Sequence, residues 1–154
     1  MKYAKVIYLY FFKKRQTELS GNSAQMGVRQ RNNKLICRRN FMNDYSNLLG
    51  KQVNITIDRP LGSYHPRHPN IYYPINYGYV EGILGGDGAE QDVYLMGIDV
   101  PVSSYQAVII AVIHRYDDVE TKWVAAPFGV SFSKEEIQQC TFFQEQFFHT
   151  EIFC

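Results

Sequence analysis

Six carboxylates fall into two short groups, each at the junction of a loop and a predicted strand. The first group flanks a glycine-rich turn, and the second directly precedes Lys122. The members are Asp87, Glu90 and Asp92 in the first group, and Asp117, Asp118 and Glu120 in the second. Carboxylates held close together repel one another, and a hard divalent cation relieves that repulsion. Both groups are therefore candidate ligands for Mg²⁺.

The chemistry that such carboxylates support is phosphoryl transfer to water. Mg²⁺ keeps several of its own waters and is commonly shared between protein carboxylates and substrate phosphates. Two or more such ions polarise a phosphoryl group and lower the pKa of an attacking water. Lys122 would then offset charge on the phosphate oxygens. Taken alone, each acidic group is more often a solvated loop than a metal site.

Five short strands and one helix are predicted to position these residues. Residues 53–57 alternate between apolar and polar types, which is typical of a half-buried strand. The helix is predicted to end the chain and to begin with a capping box made by Ser133 and Glu136. Its apolar face consists of Ile137, Cys140, Phe143 and Phe147. The other predicted strands are residues 71–80, 93–96, 108–113 and 122–126.

This order of elements favours a mainly β (α+β) fold. Short strands separated by turn-rich segments close most simply into a small barrel, and a terminal amphipathic helix packs against it. The turns carry the expected chemistry, with proline and histidine in residues 59–69 and glycine in residues 85–88. Each acidic group would then lie at the junction of a loop and a strand.

Residues 72–79, Tyr-Tyr-Pro-Ile-Asn-Tyr-Gly-Tyr, followed by Asp87 and Asp92, resemble the signature of the class I soluble inorganic pyrophosphatases. That family runs F-Y-P-x-N-Y-G-Y, then D-G-D-x-x-D, then D-E-x-x-x-D-x-K. Residues 117–122 are similar to a shortened form of the last segment. The resemblance covers residues 53–127. It implies a five-stranded closed barrel of the oligonucleotide-binding (OB) type, dependence on Mg²⁺ and hydrolysis of pyrophosphate.

The resemblance also implies roles for individual carboxylates. Asp87 and Asp92 match the first and last aspartates of D-G-D-x-x-D, which bind metal. Glu120 matches the metal-bridging aspartate of the last segment. The opening acid pair of that segment and an early glutamate at the rim of the site are matched by three further residues. The predicted metal ligands are Asp58, Asp87, Asp92, Asp117, Asp118 and Glu120.

Departures from the family pattern concern the base and the phosphate-holding groups. The middle aspartate, often assigned as the base, falls on Ala89, so the neighbouring Glu90 is the candidate base. The Tyr-Lys pair of the last helix falls on Phe147 and Phe148, and the loop of residues 62–70 replaces a substrate-binding hairpin. The predicted catalytic residues are Glu90, Lys122 and Tyr77. The predicted substrate-binding residues are Tyr73, Tyr77, Lys122, Arg59, His65, Arg67, His68 and Arg115.

Charge divides the chain into two predicted regions, 1–41 and 42–154. Residues 1–41 carry ten Lys or Arg and one acid, a net charge of +9, whereas residues 42–154 carry six Lys or Arg and fourteen acids, a net charge of −8. The first region lacks periodicity and is predicted to be a disordered basic extension. Arg38-Arg39 can be encoded as a purine-rich ribosome-binding sequence, so the extension is also consistent with a translated leader and a true start at Met42. An arm for nucleic acid or anionic membrane is the alternative.

Three functions are weighed for the region 42–154. The first is Mg²⁺-dependent hydrolysis of pyrophosphate or a related diphosphate, and the second is a catalytically weakened module that binds pyrophosphate or a nucleotide. A nucleic-acid binder is disfavoured because the region is net acidic. Three cysteines without C-x-x-C spacing and no adequate apolar segment predict a cytoplasmic protein with no membrane partner. Assembly into a homo-oligomer is left open.

Overall fold

The computed structural model describes residues 45–154, and the basic extension predicted at residues 1–41, with Cys37, lies outside the described residues. Six strands and one α-helix are assigned within the described part of the chain. They are β1 (Gln52–Arg59), β2 (Asn76–Leu84), β3 (Glu90–Leu95), β4 (Ser104–Arg115), β5 (Thr121–Ala126), α1 (Lys134–Glu145) and β6 (Thr150–Phe153). This content agrees with a mainly β fold.

The first five strands close into a barrel. Their hydrogen-bonded order is β1-β2-β3-β5-β4, and β4 pairs back to β1 through its first half. Only the β3–β5 pair is parallel among these pairings, with Val93 opposite Trp123. Closure leaves no free edge among the five strands, which is how small antiparallel sheets avoid unpaired backbone groups. The predicted five-stranded closed barrel with a C-terminal helix is confirmed.

The core lies inside the barrel and beneath the helix. Residues that alternate along the strands point inward, and Ile137 of α1 is fully buried against them. Cys140 and Phe143 of the predicted helix face are partly buried against the same core. The buried cluster consists of Tyr73, Tyr77, Tyr94, Met96, Ala111, Ile113, Val124, Ile137 and Ile152. Three tyrosines in this cluster carry polar hydroxyl groups into the barrel.

The end of the chain differs from the prediction. The helix stops at Glu145, so Phe147 lies beyond it, and the chain continues into β6. β6 adds to the second half of β4 in an antiparallel register, with Ile152 opposite Ile113. The predicted helix is present, but the strand after it was not predicted, because four residues are too short to show a period and the strand exists through pairing with a distant partner.

No helix between residues 45 and 154 combines the length and the apolar character that crossing a membrane requires.

The capping box at the start of α1 is present. Ser133 Oγ accepts a hydrogen bond from the Glu136 backbone N–H at 3.2 Å, and Glu136 Oε2 accepts one from the Ser133 backbone N–H at 2.7 Å. We expect Ser133→Ala to lower the free energy of unfolding by about 1 kcal/mol, because a helix N–H loses its partner. Urea unfolding measures this, with the exposed Ser131→Ala as control. Equal stability of the two variants would contradict the assignment.

Candidate active site

A close backbone contact brings the two acidic groups together. Gly86, in the turn between β2 and β3, packs against the carbonyl of Val119 in the loop between β4 and β5. A Cβ at Gly86 would lie 1.9 Å from the Val119 carbonyl oxygen, so no larger residue fits there without displacement of one loop. Asp87 and Glu120 follow these two residues, and their carboxylates lie within hydrogen-bonding reach of each other. The glycine therefore places carboxylates from both groups side by side.

The Lys122 ammonium group lies between two of these carboxylates. Lys122 begins the inward-facing side of β5, opposite Ile113 of β4, and only 3% of its side chain is exposed. Its Nζ donates to Asp92 Oδ2 and to Glu120 Oε2. One buried cation thus connects β3, β5 and the loop before β5.

Tyr77 and Asp58 extend the site along β2 and β1. The Tyr77 hydroxyl is within hydrogen-bonding reach of Asp92, and burial together with the Asp92 charge raises the pKa of Tyr77 well above its ordinary value. Tyr77 is therefore a hydrogen-bond donor at neutral pH. Burial raises the pKa of the Asp58 carboxyl group. The positive charge of Arg59 lowers that pKa and the negative charge of Asp92 raises it, and the net change is upward.

Arg59, beside the Asp58 carboxylate, has a hydrogen-bond donor that lacks an acceptor among the described residues. Its Nη1 donates to Asp58 Oδ2 at 2.6 Å and to the Asp58 carbonyl oxygen at 3.0 Å. Its Nε is buried and has no hydrogen-bond partner among residues 45–154. The Tyr73 hydroxyl lies within reach of the same guanidinium group, and the Tyr73 and Tyr77 rings are 5.4 Å apart. A buried donor without a partner costs stability, and an anionic ligand would satisfy it.

The loop of residues 62–70 is ordered around His65. The backbone N–H groups of Arg67 and His68 donate to His65 Nδ1, each at 3.1 Å, so the neutral ring carries its proton on Nε2. The His65 ring lies 4.7 Å from that of His68 and stacks at 6.5 Å from Tyr73. Burial, with the charges of His68, Arg59 and Arg67, lowers the pKa of His65. Imidazole N–H and guanidinium groups therefore gather beside Tyr73.

Three predicted site residues make structural hydrogen bonds instead. Asp117 Oδ1 accepts from the His149 backbone N–H at 2.8 Å, and Asp118 Oδ1 accepts from the Val119 backbone N–H at 2.7 Å. Glu90 Oε1 accepts from the Gly82 backbone N–H at 3.3 Å, across the β2–β3 hairpin. In the region from Tyr45 onward, no three His, Cys, Asp or Glu side chains are grouped in a way that could hold a metal ion.

Arg115, predicted as a substrate-binding residue, is buried at 2% exposure. All three guanidinium nitrogens have carboxylate partners, on Glu145, Asp118 and Glu120. Burial alone would lower the pKa of Arg115, but the hydrogen bonds and charge of Glu145 outweigh burial and raise it above the ordinary value. A contact between Arg115 and phosphate would require the loss of these ion pairs.

Two residues with positioning roles were not identified from the sequence. Asn76 is fully buried, and its amide bonds the backbone of residues 61, 98, 100 and 102, which joins two loops to β2. Glu145 ends α1 and pairs with Arg115. Asn76 belongs to the Y-P-x-N-Y-G-Y motif, which was a usable signal. Glu145 carried none, because its partner lies far away along the chain.

The site has the oxygen donors that a hard divalent cation prefers, but among residues 45–154 no three of these side chains are grouped closely enough to hold one. Asp87 and Glu120 lie close to each other, and Lys122 and Arg115 are the cations that already pair with Glu120. The Ala89 backbone N–H, which donates to Asp87 Oδ1 at 3.0 Å, and further contacts lower the pKa of Asp87 and favour the charged form. Charged oxygen donors are the ligands that Mg²⁺ prefers.

Known proteins resemble this chain in fold. No protein-family model matches the sequence, and no curated protein matches it. Among solved structures, the inorganic pyrophosphatase of Ehrlichia chaffeensis aligns with a TM-score of 0.52 and 19% identity, over 67% of this chain and 85% of that chain. The inorganic pyrophosphatase of Coxiella burnetii aligns with a TM-score of 0.50 and 17% identity, over 68% of this chain and 84% of that chain. The inorganic pyrophosphatase of Neisseria gonorrhoeae aligns with a TM-score of 0.50 and 21% identity, over 67% of this chain and 80% of that chain. The described chain therefore has the OB-like barrel fold of the inorganic pyrophosphatases.

Proposed function

We propose that this protein hydrolyses inorganic pyrophosphate to phosphate in a Mg²⁺-dependent reaction. The observation that carries the proposal is the convergence of Asp87, Asp92, Glu120 and Lys122 at one end of a barrel with the pyrophosphatase fold. Clustered carboxylates alone do not indicate an activity. Carboxylates from two loops, a buried ammonium group and a protonated tyrosine in one place match what a metal-bound diphosphate requires.

Asp87, Asp92 and Glu120 would hold Mg²⁺ after their carboxylates move closer together, because no three such side chains among residues 45–154 are grouped for a metal ion. The ion would supply charge neutralisation and a more acidic bound water. Asp58 lies close enough to feel the Asp92 charge and would add to the negative field around the cation. Asp117 and Asp118 would contribute through that field as well, because their oxygens are engaged by backbone N–H groups. The Lys122 ammonium, which pairs with Asp92 and Glu120, would contact a phosphate oxygen of the bound diphosphate.

Groups on the opposite side of the site would hold the diphosphate. The Tyr77 hydroxyl would donate a hydrogen bond to a phosphate oxygen, and the Tyr73 hydroxyl, which lies beside Arg59, would donate another. The unsatisfied Arg59 Nε supports a further contact with phosphate. His65, Arg67 and His68 would supply N–H donors from the loop of residues 62–70. Preorganised donors of this kind stabilise charge that develops in the transition state.

The base is the weakest part of the proposed machinery. Glu90 is the proposed proton acceptor, but its carboxylate is bonded to the Gly82 N–H and would have to turn toward the attacking water. Ala89, beside the metal-binding residues, offers no carboxylate.

Ala89→Asp should raise the rate of pyrophosphate hydrolysis. The substitution places a carboxylate where the resemblance puts the proton acceptor, and general-base contributions are typically about 10²- to 10⁴-fold, so a partly competent Glu90 leaves room for a gain. The added charge should also tighten Mg²⁺ binding. Phosphate release at saturating Mg²⁺ separates the two effects, with Ala89→Asn as the uncharged control. An unchanged or lower rate at saturation would show that Ala89 is not the vacant base position.

The second candidate is a catalytically weakened module that binds pyrophosphate or a nucleotide. Its support is that Lys122 and Arg115 already neutralise the carboxylates without a metal, and that Ala89 replaces an acid. Such a site would keep affinity for a metal-bound diphosphate and would lose turnover.

One assay distinguishes the two candidates. Phosphate release from pyrophosphate and from a panel of nucleotides is measured on the full chain with and without Mg²⁺, and binding of a non-hydrolysable diphosphate is measured by calorimetry. Mg²⁺-dependent release from pyrophosphate supports the enzyme. Binding without release supports the module, and the absence of both would overturn the proposed site.

A further inference from the structure

Two buried side-chain atoms in the described part of the chain lack a hydrogen-bond partner, and both belong to the segment that leaves β1. They are Arg59 Nε and Ser63 Oγ. A buried polar atom without a partner costs stability, and native proteins keep few of them. Two such atoms only four positions apart indicate a partner that comes from outside the chain.

The backbone between these two side chains is fixed. The N–H groups of residues 61, 62 and 63 donate to Asn76 Oδ1, to the Tyr73 carbonyl and to the Pro60 carbonyl, at 3.0, 2.9 and 2.9 Å. The last of these bonds closes a four-residue turn, which brings Ser63 back toward the end of β1. The missing partners are therefore not the result of a loosely held loop.

The chain after the turn forms a short hairpin, in which Tyr64 pairs with Tyr72. Backbone hydrogen bonds of 2.9 Å flank this pair on both sides. Because side chains alternate along an extended chain, Ser63, His65 and Tyr73 share the face opposite to Tyr64 and Tyr72. The shared face is turned toward the barrel, since Tyr73 is buried in the core cluster while Tyr64 and Tyr72 are exposed.

Hydrogen-bond donors gather on that face. The His65 ring is stacked 6.5 Å from the Tyr73 ring, and the Tyr73 hydroxyl is within hydrogen-bonding reach of the Arg59 guanidinium group. His65 Nδ1 accepts two backbone N–H groups, so Nε2 of the neutral ring is a donor. Burial raises the pKa of Tyr73, so its hydroxyl keeps its proton at neutral pH.

This set of donors suits an oxyanion better than a water molecule. Arg59 Nε and His65 Nε2 can only donate, and the hydroxyls of Ser63 and Tyr73 can rotate to donate as well. A single water accepts about two hydrogen bonds, whereas a phosphate group presents three acceptor oxygens. Arg59 pairs with Asp58 through Nη1, whereas Nε lies on the other edge of the guanidinium plane, an edge suited to oxyanions.

We propose that Arg59, Ser63, His65 and Tyr73 form an oxyanion site that binds one phosphate group without a metal ion. The inference rests on the proposed function for the identity of its ligand, which is either one end of the diphosphate or the inorganic phosphate released from it. Ser63 is a member of the site that the sequence did not indicate. The carboxylates of the two acidic groups take no part in this binding.

Calorimetry on the full chain in the presence of EDTA tests the site, with inorganic phosphate and pyrophosphate as separate ligands. Ser63→Ala removes one unsatisfied atom, and Arg59→Lys removes the other while it keeps the positive charge beside Asp58. Tyr73→Phe removes a hydroxyl from the inner face of the hairpin, and Tyr64→Phe is its control on the outer face. Ser131→Ala is the control for Ser63→Ala, and urea unfolding gives the stability of every variant.

We expect the wild type to bind one inorganic phosphate per chain without metal, and pyrophosphate to compete with it. Ser63→Ala and Tyr73→Phe should each weaken phosphate binding by about 2- to 10-fold, the effect of one neutral hydrogen bond. Arg59→Lys should weaken it by about 10- to 100-fold, because a hydrogen bond from a charged donor is lost. Ser63→Ala should be at least as stable as the wild type, since it removes a buried hydroxyl that has no partner among residues 45–154.

The inference is overturned if the wild type binds no inorganic phosphate in EDTA, including the case in which pyrophosphate alone binds. It is also overturned if Ser63→Ala keeps wild-type affinity, or if Tyr64→Phe loses as much affinity as Tyr73→Phe. Mg²⁺-dependent release of phosphate by the wild type tests the proposed function separately. Release without metal-free binding removes only this oxyanion site, whereas metal-free binding without release supports the site and removes the hydrolase.

Discussion

Asp92→Asn should abolish Mg²⁺-dependent release of phosphate from pyrophosphate while the barrel stays folded. Within residues 45–154, Asp92 is the one carboxylate that contacts both the Lys122 ammonium and the Tyr77 hydroxyl, so it lies at the centre of the proposed site. Asparagine keeps the volume and one acceptor oxygen but removes the ligand charge. Loss of a group that merely orients a ligand costs about 10- to 100-fold, so loss of a ligand should reduce kcat/KM at limiting Mg²⁺ by at least about 100-fold.

Phosphate release across a series of Mg²⁺ concentrations measures this effect, and circular dichroism checks the fold. Asp99→Asn is the matched control, because Asp99 is exposed in the loop after β3 and is assigned no role in the site. Asp87→Asn should behave like Asp92→Asn, since Asp87 faces Glu120. Activity close to that of the wild type in both site variants would remove the metal assignment.

Lys122→Met should lower kcat and tighten Mg²⁺ binding at the same time. The ammonium group neutralises Asp92 and Glu120 in the absence of metal, so its removal leaves two carboxylates with more unbalanced charge for a cation. The transition state loses a cation in a buried position, and removal of one such stabilising group typically costs about 10²- to 10³-fold in kcat. Most substitutions that damage a metal enzyme lower both kcat and Mg²⁺ affinity, so a lower kcat with a higher Mg²⁺ affinity is diagnostic.

Calorimetric titration with Mg²⁺ and steady-state kinetics at saturating Mg²⁺ measure the two effects separately. Lys134→Met is the control, since Lys134 is exposed at the start of α1 and Met is a good helix former. Weaker Mg²⁺ binding in Lys122→Met would mean that the ammonium group mainly holds the two carboxylates in place. An unchanged kcat would exclude Lys122 from contact with phosphate.

The features of this fold that arise from interactions between residues close together in the chain could be predicted from the sequence. Residues 53–57 alternate because one face of β1 is buried, and the capping box of Ser133 and Glu136 satisfies N–H groups within one helical turn. Both were identified correctly for that reason. β6 was missed, since its four residues form a strand only through pairing with β4.

The order and spacing of the chemical groups were likewise contained in the sequence. The tyrosine motif, the glycine-rich turn with Asp87 and Asp92, and the acidic segment before Lys122 predict a phosphate-handling site, and each lies at or near the start of a strand. Gly86 shows the limit of that information. Its sequence position marks a turn, but its contact with the Val119 carbonyl, which brings the two acidic groups together, depends on barrel closure.

Only the tertiary structure decided which of the neighbouring carboxylates face the site and which cations they bind. Asp117, Asp118 and Glu120 were all predicted as metal ligands, yet their oxygens pair with the His149 backbone, with Arg115 and with Lys122, respectively. Arg115 was predicted to bind substrate, and the fold pairs its guanidinium group with Glu145. Periodicity and capping arise from interactions within a few residues, whereas a buried charge needs a partner and takes the one that the fold brings next to it.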